Sequence, residues 1–293
     1  MGRILQRLVW LLVCYLTITP LYADLKIQIL ASQAEESAGL VAYLTKSFNS
    51  EVDISTTNTV DETSDLLIVL GHSATPNLPA SHPPALFILP QPGSLELKKE
   101  DSALYWSPSL SAQLALIRTM LPATNRIGML VKASGNDDDI AWLRAFKQYA
   151  AAQSVEVKIQ SVDKERIPRQ VSELAASTDV LLAQPNTDIY NRDTIRFILL
   201  AAYRQNKVLV GPSPAFVKAG ALASLYVPTN VIYDEVAQKV RYFIKNNKLP
   251  PASQIQNLSV SLNAQVAKSL GLSVPAINEL ERILRLEELP TWP

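Results

Sequence analysis

The side chains with chemistry to offer are mostly amides, hydroxyls and a few charges, and they recur just after short apolar runs. Ser32 and Gln33 follow Leu25–Leu30, Gly71, His72 and Ser73 follow Asp65–Leu70, and Gln91 follows Ala85–Leu89. Further along, Lys132 and Ser134 follow Arg126–Val131, Gln184, Asn186, Thr187 and Asp188 follow Asp179–Ala183, and Ser213 and Phe216 follow Lys207–Val210. Such groups suit ligand binding: amides, hydroxyls and backbone N–H groups meet a carboxylate or an amide, Asp188 an ammonium, and Tyr190 or Phe216 an apolar body. The same residue types also cap helices and close turns, so Asn186 and Asp188 have a second reading as caps.

Catalysis and metal binding have no residues to carry them. His72 and His82, the only two histidines, lie in a proline-rich loop, whereas a general base needs a partner and a metal needs several ligands. The single cysteine, Cys14, permits neither a disulfide nor a thiolate cluster. Asp137-Asp138-Asp139 stands just ahead of a helical pattern, where acids complement the helix dipole, and lacks calcium-loop spacing. Lys98-Lys99-Glu100-Asp101 reads as a solvated loop. The nine glycines form no dinucleotide or phosphate loop, and neither a nucleophile elbow nor a zinc-protease motif occurs. No cofactor and no enzymatic activity are expected. The 27 basic and 27 acidic residues cancel, which argues against a nucleic-acid surface.

The elements that must position the polar residues alternate between strand and helix. Helical spacing marks Glu35–Phe48, Leu110–Met120, Asp139–Ala152, Ile167–Ala176, Thr194–Tyr203, Val231–Ile244, Asn263–Leu270 and Ile277–Leu286. Strands are expected at the six runs named above and at Glu51–Ser55, Ala103–Trp106, Val155–Val162, Ala221–Tyr226 and Leu258–Leu262. Residues 71–84 hold Pro76, Pro79, Pro83 and Pro84 and cannot form a regular helix. The alternation predicts βαβ units: two Rossmann-like three-layer α/β lobes with parallel sheets, joined by a hinge. Ligands of open α/β sheets bind beyond the carboxyl ends of the strands, where the polar residues fall.

The first 23 residues read as an address. Arg3 and Arg7 precede the apolar run Leu8–Ile18, Pro20 breaks it, and Leu21-Tyr22-Ala23 suits cleavage after Ala23, the order of a secretory signal. The run is too short to span a bilayer. Arg3 and Arg7 would leave with it, so 25 bases would face 27 acids in the remaining 270 residues, which hold no cysteine. An exported protein without disulfides points to a bacterial periplasm.

The stretch Asp179–Pro275 carries a family resemblance. It contains Asp179-Val-Leu-Leu-Ala-Gln-Pro-Asn-Thr-Asp-Ile-Tyr-Asn191, Val208-Leu-Val-Gly-Pro-Ser213, Phe216-Val-Lys-Ala-Gly-Ala-Leu-Ala-Ser-Leu-Tyr226 and an Asn263-Ala-Gln-Val-Ala-Lys-Ser-Leu-Gly-Leu272 ending. It resembles the substrate-binding proteins of ABC transporters, in the family that includes tryptophan/tyrosine-type components, from roughly residue 109 onward. The resemblance implies a type I periplasmic-binding fold with three chain crossings, near Trp106–Ser109, Tyr226–Thr229 and Ser253–Asn257. Lobe 1 would then hold residues 24–107 and 228–256, and lobe 2 residues 108–227 and 257–293. It implies a small-molecule ligand, an amino acid or similar amphipathic solute, bound between the lobes, and an inner-membrane permease as partner. Lobe 1 departs from the family pattern. Ser32-Gln33 stand where a His-Pro is usual, and Ser55–Ser64 leaves no room for a second helix, so this lobe is reduced. A trimmed lobe also fits a second role, as a sensory or scaffolding periplasmic partner of a membrane receptor or signalling protein.

Overall fold

The computed structural model describes residues 25–49, 51–91, 95–132, 137–162 and 166–286. The export signal expected over residues 1–23, with Cys14, lies outside the described residues, as does Ser134. The strands among the described residues fall into two six-stranded sheets, and the chain clusters into two compact units, one up to Ala85 and one from Leu86 on.

In the first unit β1 (Leu25–Leu30) lies between β2 (Val52–Thr57) and β3 (Leu66–Leu70), and both pairings are parallel. Register runs from Leu25 opposite Val52 to Leu30 opposite Thr57, and from Ile27 opposite Leu66 to Leu30 opposite Val69. Helix α1 (Ala34–Phe48) buries Leu40, Leu44 and Phe48, one every fourth residue, and ends on Asn49 in the left-handed conformation. The eight residues between β2 and β3 hold no helix. They are tied by Asp61, whose carboxylate accepts from the Thr63 amide and hydroxyl while its own N–H donates to Gln28 Oε1. The proline-rich stretch after β3 forms a 3₁₀ turn, His72–Asn77, entered through Gly71 at φ +72°.

The second unit begins within β4 (Ala85–Leu89), followed by β5 (Ser102–Tyr105) and, much later, the two-residue β11 (Ser253–Gln254), in the order β11-β5-β4 and parallel throughout. Its second sheet has the order β12-β10-β9-β8-β6-β7. The members are β6 (Arg126–Lys132), β7 (Glu156–Val162), β8 (Val180–Leu182), β9 (Leu209–Gly211), β10 (Ala223–Tyr226) and β12 (Ser259–Leu262). All pairs are parallel except β10 with β12, where Ala223 faces Leu262 and Tyr226 faces Ser259. The expected parallel pairing holds for the rest of the sheet; an edge strand has one neighbour only, so either direction satisfies its ladder.

The sheet is buried on both faces. Ile127, Met129, Val180, Leu182, Val208 and Val210 point into one core, whereas Leu130, Leu181, Ala183 and Leu209 point into the other. The first core is covered by α2 (Leu110–Met120) and α3 (Asp137–Ala152), through residues such as Leu114, Ile117, Trp142 and Phe146. The second is covered by α4 (Ile167–Ala176) and α5 (Ile195–Arg204), through Val171, Leu174, Ile198 and Ala202. Gly128 lets that second layer approach, since a Cβ there would lie 2.7 Å from Leu181 Cδ2 and 2.9 Å from Leu174 Cγ. The remaining helices are α6 (Pro214–Ala219), α7 (Thr229–Asn246), α8 (Ala264–Ser269) and α9 (Ile277–Leu286). Helix α6 was not expected from the sequence: six residues opened by a proline carry too little periodicity to register.

Candidate functional site

Three strands of the second sheet, β8, β9 and β10, run parallel and end on one edge, and β5 delivers the chain into α2 beside them. Their exits enclose a cavity of about 350 Å³. Leu182, Gln184 and Pro185 come from the end of β8; Val210, Gly211, Pro212, Ser213 and Pro214 from that of β9. Leu225, Tyr226 and Val227 come from β10, and Trp106, Ser107 and Pro108 from the exit of β5. Helices α2 and α7 close it with Gln113, Leu116, Thr229 and Ile232. The volume suits a small molecule, and the position is the one an open α/β sheet offers.

A chain of amides crosses this pocket. Gln113 is 7% exposed, in the interior of α2. Its Nε2 donates to the Pro108 carbonyl at 2.9 Å, which turns its Oε1 toward Gln184, and Gln184 Nε2 donates to that oxygen at 2.8 Å. The Pro108 carbonyl can only accept, so it fixes the orientation of both amides. α2 itself starts on Ser109, whose hydroxyl accepts from Ala112 N. The segment ahead of it is anchored by Trp106 N donating to the Leu89 carbonyl and Ser107 N to the Pro90 carbonyl. Gln254 Nε2, from β11, donates to the Ser107 carbonyl.

Two of the residues expected from the sequence, Gln184 and Ser213, line the pocket. Ser213 is the N-cap position of α6, and its side chain makes no capping bond. Tyr190 and Phe216 meet each other edge to face, with centroids 5.5 Å apart, and pack in the core beneath α4 and α5. Burial of Tyr190 drives its phenol well above the ordinary range, against the opposing effect of a backbone hydrogen bond at Leu130. Phe216 lies against Gly211, where a Cβ would sit 2.4 Å from Phe216 Cβ. Asn186 takes the capping reading: its Oδ1 accepts from Asp188 N at 3.0 Å and Ile189 N at 3.2 Å. Lys132 and Asp188 form an exposed ion pair, Nζ to Oδ2 at 2.6 Å.

In the first unit, Ser32 and Gln33 are exposed at the start of α1, with the Gln33 carbonyl accepting from Glu36 N. His72 and Ser73 open the 3₁₀ turn, where the His72 carbonyl accepts from the Thr75 hydroxyl at 2.7 Å. Gln91 is half-buried in the bend after β4. Sequence reasoning missed Trp106, Gln113, Tyr226, Thr229 and Ile232 as site residues. Gln113 had a signal of its own, a polar side chain amid Leu110, Ala112, Leu114 and Leu116. Trp106 and Tyr226 stood at the ends of expected strands and the starts of expected chain crossings, and neither reading marks a ligand contact.

The two-lobe α/β fold, with mostly parallel sheets and flanking helices, is shared with solved structures. A conserved domain protein from Vibrio cholerae O1 is 17% identical with a TM-score of 0.66, over 87% of this chain and 96% of that one. An ABC domain from Streptococcus pneumoniae, solved in complex with L-Trp, is 17% identical with a TM-score of 0.64, over 86% and 96%. The ligand-free, open structure of CD0873, a Clostridium difficile substrate-binding protein with adhesive properties, is 15% identical with a TM-score of 0.67, over 86% and 95%. Comparison with the curated proteins returns no match. The family model described as ABC transporter substrate binding protein matches residues 107–282, and the chain belongs to that family. Every pocket-lining residue except Trp106 falls inside that stretch.

Proposed function

We propose that the chain is the periplasmic solute-binding component of an ABC-type uptake system, carrying a small amphipathic solute to an inner-membrane permease. The pocket at the ends of β8, β9 and β10 carries this reading. Its walls are largely apolar, with a few convergent polar groups led by Gln184, the arrangement small-molecule sites use. Family membership and the L-Trp held by the Streptococcus pneumoniae relative support it. The signal-like order of residues 1–23 supports export, and no helix among the described residues is long and apolar enough to cross a membrane. The lobe boundaries expected from the sequence remain part of the proposal; the pairing of β11 with β5 and of β12 with β10 supports them.

Thermal-shift and isothermal titration screens of the exported protein with amino acids, short peptides and nucleobases test the reading. At least one class is expected to raise the melting temperature saturably and to lose affinity when Gln184 is replaced by Ala. Absence of any binding across the panel would overturn the transport role.

A further inference from the structure

The lining of the pocket speaks to the charge of its occupant. Among the described residues that form it there is no Asp, Glu, Lys, Arg or His. A free amino acid brings an ammonium and a carboxylate, and burying either without a partner is strongly disfavoured. Backbone N–H groups are the usual substitute for a cation around a carboxylate. Here Pro108, Pro185, Pro212 and Pro214 occupy four of the lining positions and have no N–H to give, which leaves the uncharged hydroxyls of Ser107, Ser213 and Thr229 and the remaining backbone amides as donors. The Lys132–Asp188 pair does not line the cavity, and its charges are spent on each other.

The amide chain adds a polarity. With Gln113 fixed by the Pro108 carbonyl, Gln184 must turn its Nε2 toward Gln113 Oε1. Its own Oε1 is then left as a neutral acceptor with no protein donor among the described residues, on a side chain that lines the cavity. A neutral acceptor calls for an N–H or O–H donor on the ligand. The rest of the wall, with Leu182, Val210, Leu225 and Ile232 beside Trp106 and Tyr226, calls for an apolar body.

Given the solute-binding role proposed for the same pocket, we propose that it takes an uncharged amphipathic molecule bearing an N–H or O–H donor, in preference to a zwitterionic amino acid. Gln184 is the residue that sets this selectivity.

One ring carried by four different side chains tests it. Isothermal titration of the full exported chain compares indole-3-acetamide (neutral), indole-3-acetate (anionic), tryptamine (cationic) and L-tryptophan (zwitterionic). The neutral amide is expected to bind roughly tenfold or more tighter than each charged member, the cost of burying one unpaired charge. In Gln184→Glu the order is expected to shift toward tryptamine, because a carboxylate replaces the neutral acceptor, and indole-3-acetate is expected to weaken further. A charged member that binds the unaltered chain as tightly as the amide overturns the substrate class and leaves the solute-binding role standing. If no indole binds, a thermal-shift screen of charged and uncharged metabolites decides. A charged first hit overturns the class and an uncharged donor sustains it. The absence of any hit overturns the solute-binding role and this inference with it.

Discussion

Gln184 Nε2 donates to Gln113 Oε1 at 2.8 Å, tying the loop after β8 to the interior of α2 across 71 residues of sequence. Gln113 in turn holds the Pro108 carbonyl, so three chain segments around the pocket share one hydrogen-bonded line. Replacing Gln113 by Met keeps the volume but leaves the Pro108 carbonyl and the Gln184 amide without this partner. The expected loss is about 1–3 kcal/mol of stability, because a buried polar group left unpaired bears its full desolvation cost with no hydrogen bond to offset it. Urea denaturation should show a lower midpoint at an unchanged slope. A midpoint equal to that of the unaltered chain would mean that the line contributes nothing to the fold.

Gly211 is required by close approach. Its Cβ-less backbone admits Phe216, whose Cβ would stand 2.4 Å from an added methyl. Gly211→Ala is expected to cost about 1–3 kcal/mol, the usual range for overpacking. Combined with Phe216→Gly the two changes should be clearly less than additive, since glycine at 216 removes the Cβ, Cγ and Cδ1 that the added methyl meets. Strict additivity in thermal or urea denaturation would show that the clash is relieved elsewhere.

Asp179 closes the opposite end of the sheet. Its carboxylate accepts from Asn125 N, Arg126 N and Arg126 Nη2 at 3.0, 2.8 and 2.8 Å. Burial pushes this carboxyl up, but the hydrogen bonds from the Arg126 guanidinium and the two amides, with the Arg126 charge, together hold it below its ordinary value. A depressed folded-state value means the contribution is present above the unfolded carboxylate range, near pH 4, and fades as pH falls through the lower folded value. The stability gap between the unaltered chain and Asp179→Asn should therefore be widest near neutrality and narrow below about pH 4. Urea midpoints measured from pH 7 to pH 3 check this; a constant gap would contradict it.

Lys132 and Asp188 form an ion pair with Nζ and Oδ2 2.6 Å apart, yet their side chains are 45% and 62% exposed. Water and salt screen such a pair, and holding two mobile side chains together offsets the attraction. Asp188→Ala is expected to change stability by less than about 1 kcal/mol. A larger loss that also vanishes in high salt would show that the pair is shielded in a way its exposure does not suggest.

Much of the fold was legible because one rule generated it. Short apolar runs such as Asp65–Leu70 and Asp179–Ala183 became β3 and β8, and helical spacing over Ile167–Ala176 gave α4 with the same bounds. Local periodicity reports which faces are buried, and a parallel sheet covered on both sides leaves continuous apolar strands. The misses are the elements too short to carry a period. β11 has two residues and α6 has six, and both exist because neighbouring backbone or a core face is waiting for them.

The site was legible in part. The rule that ligands meet the ends of parallel strands singled out Gln184 and Ser213, both of which line the pocket. It also singled out Tyr190, Phe216, Asn186 and Asp188. The first two are engaged with each other in the core, Asn186 in closing its turn, and Asp188 with Lys132. Spacing tells which residues stand at the end of a strand. The direction in which each side chain turns is set by the groups packed around it.

The order of strands and helices, the neutral balance of charge and the count of two histidines and one cysteine belong to the sequence alone, because each depends only on residue type and spacing. The pocket does not. Trp106, Gln113, Gln184, Ser213 and Tyr226 are scattered over some 120 residues, and no local pattern links them. Only the packing of β8, β9 and β10 beside the exit of β5 brings them together. That packing also orients the Gln113–Gln184 amides, because hydrogen-bond direction is set by the partner across the gap and not by the neighbour along the chain.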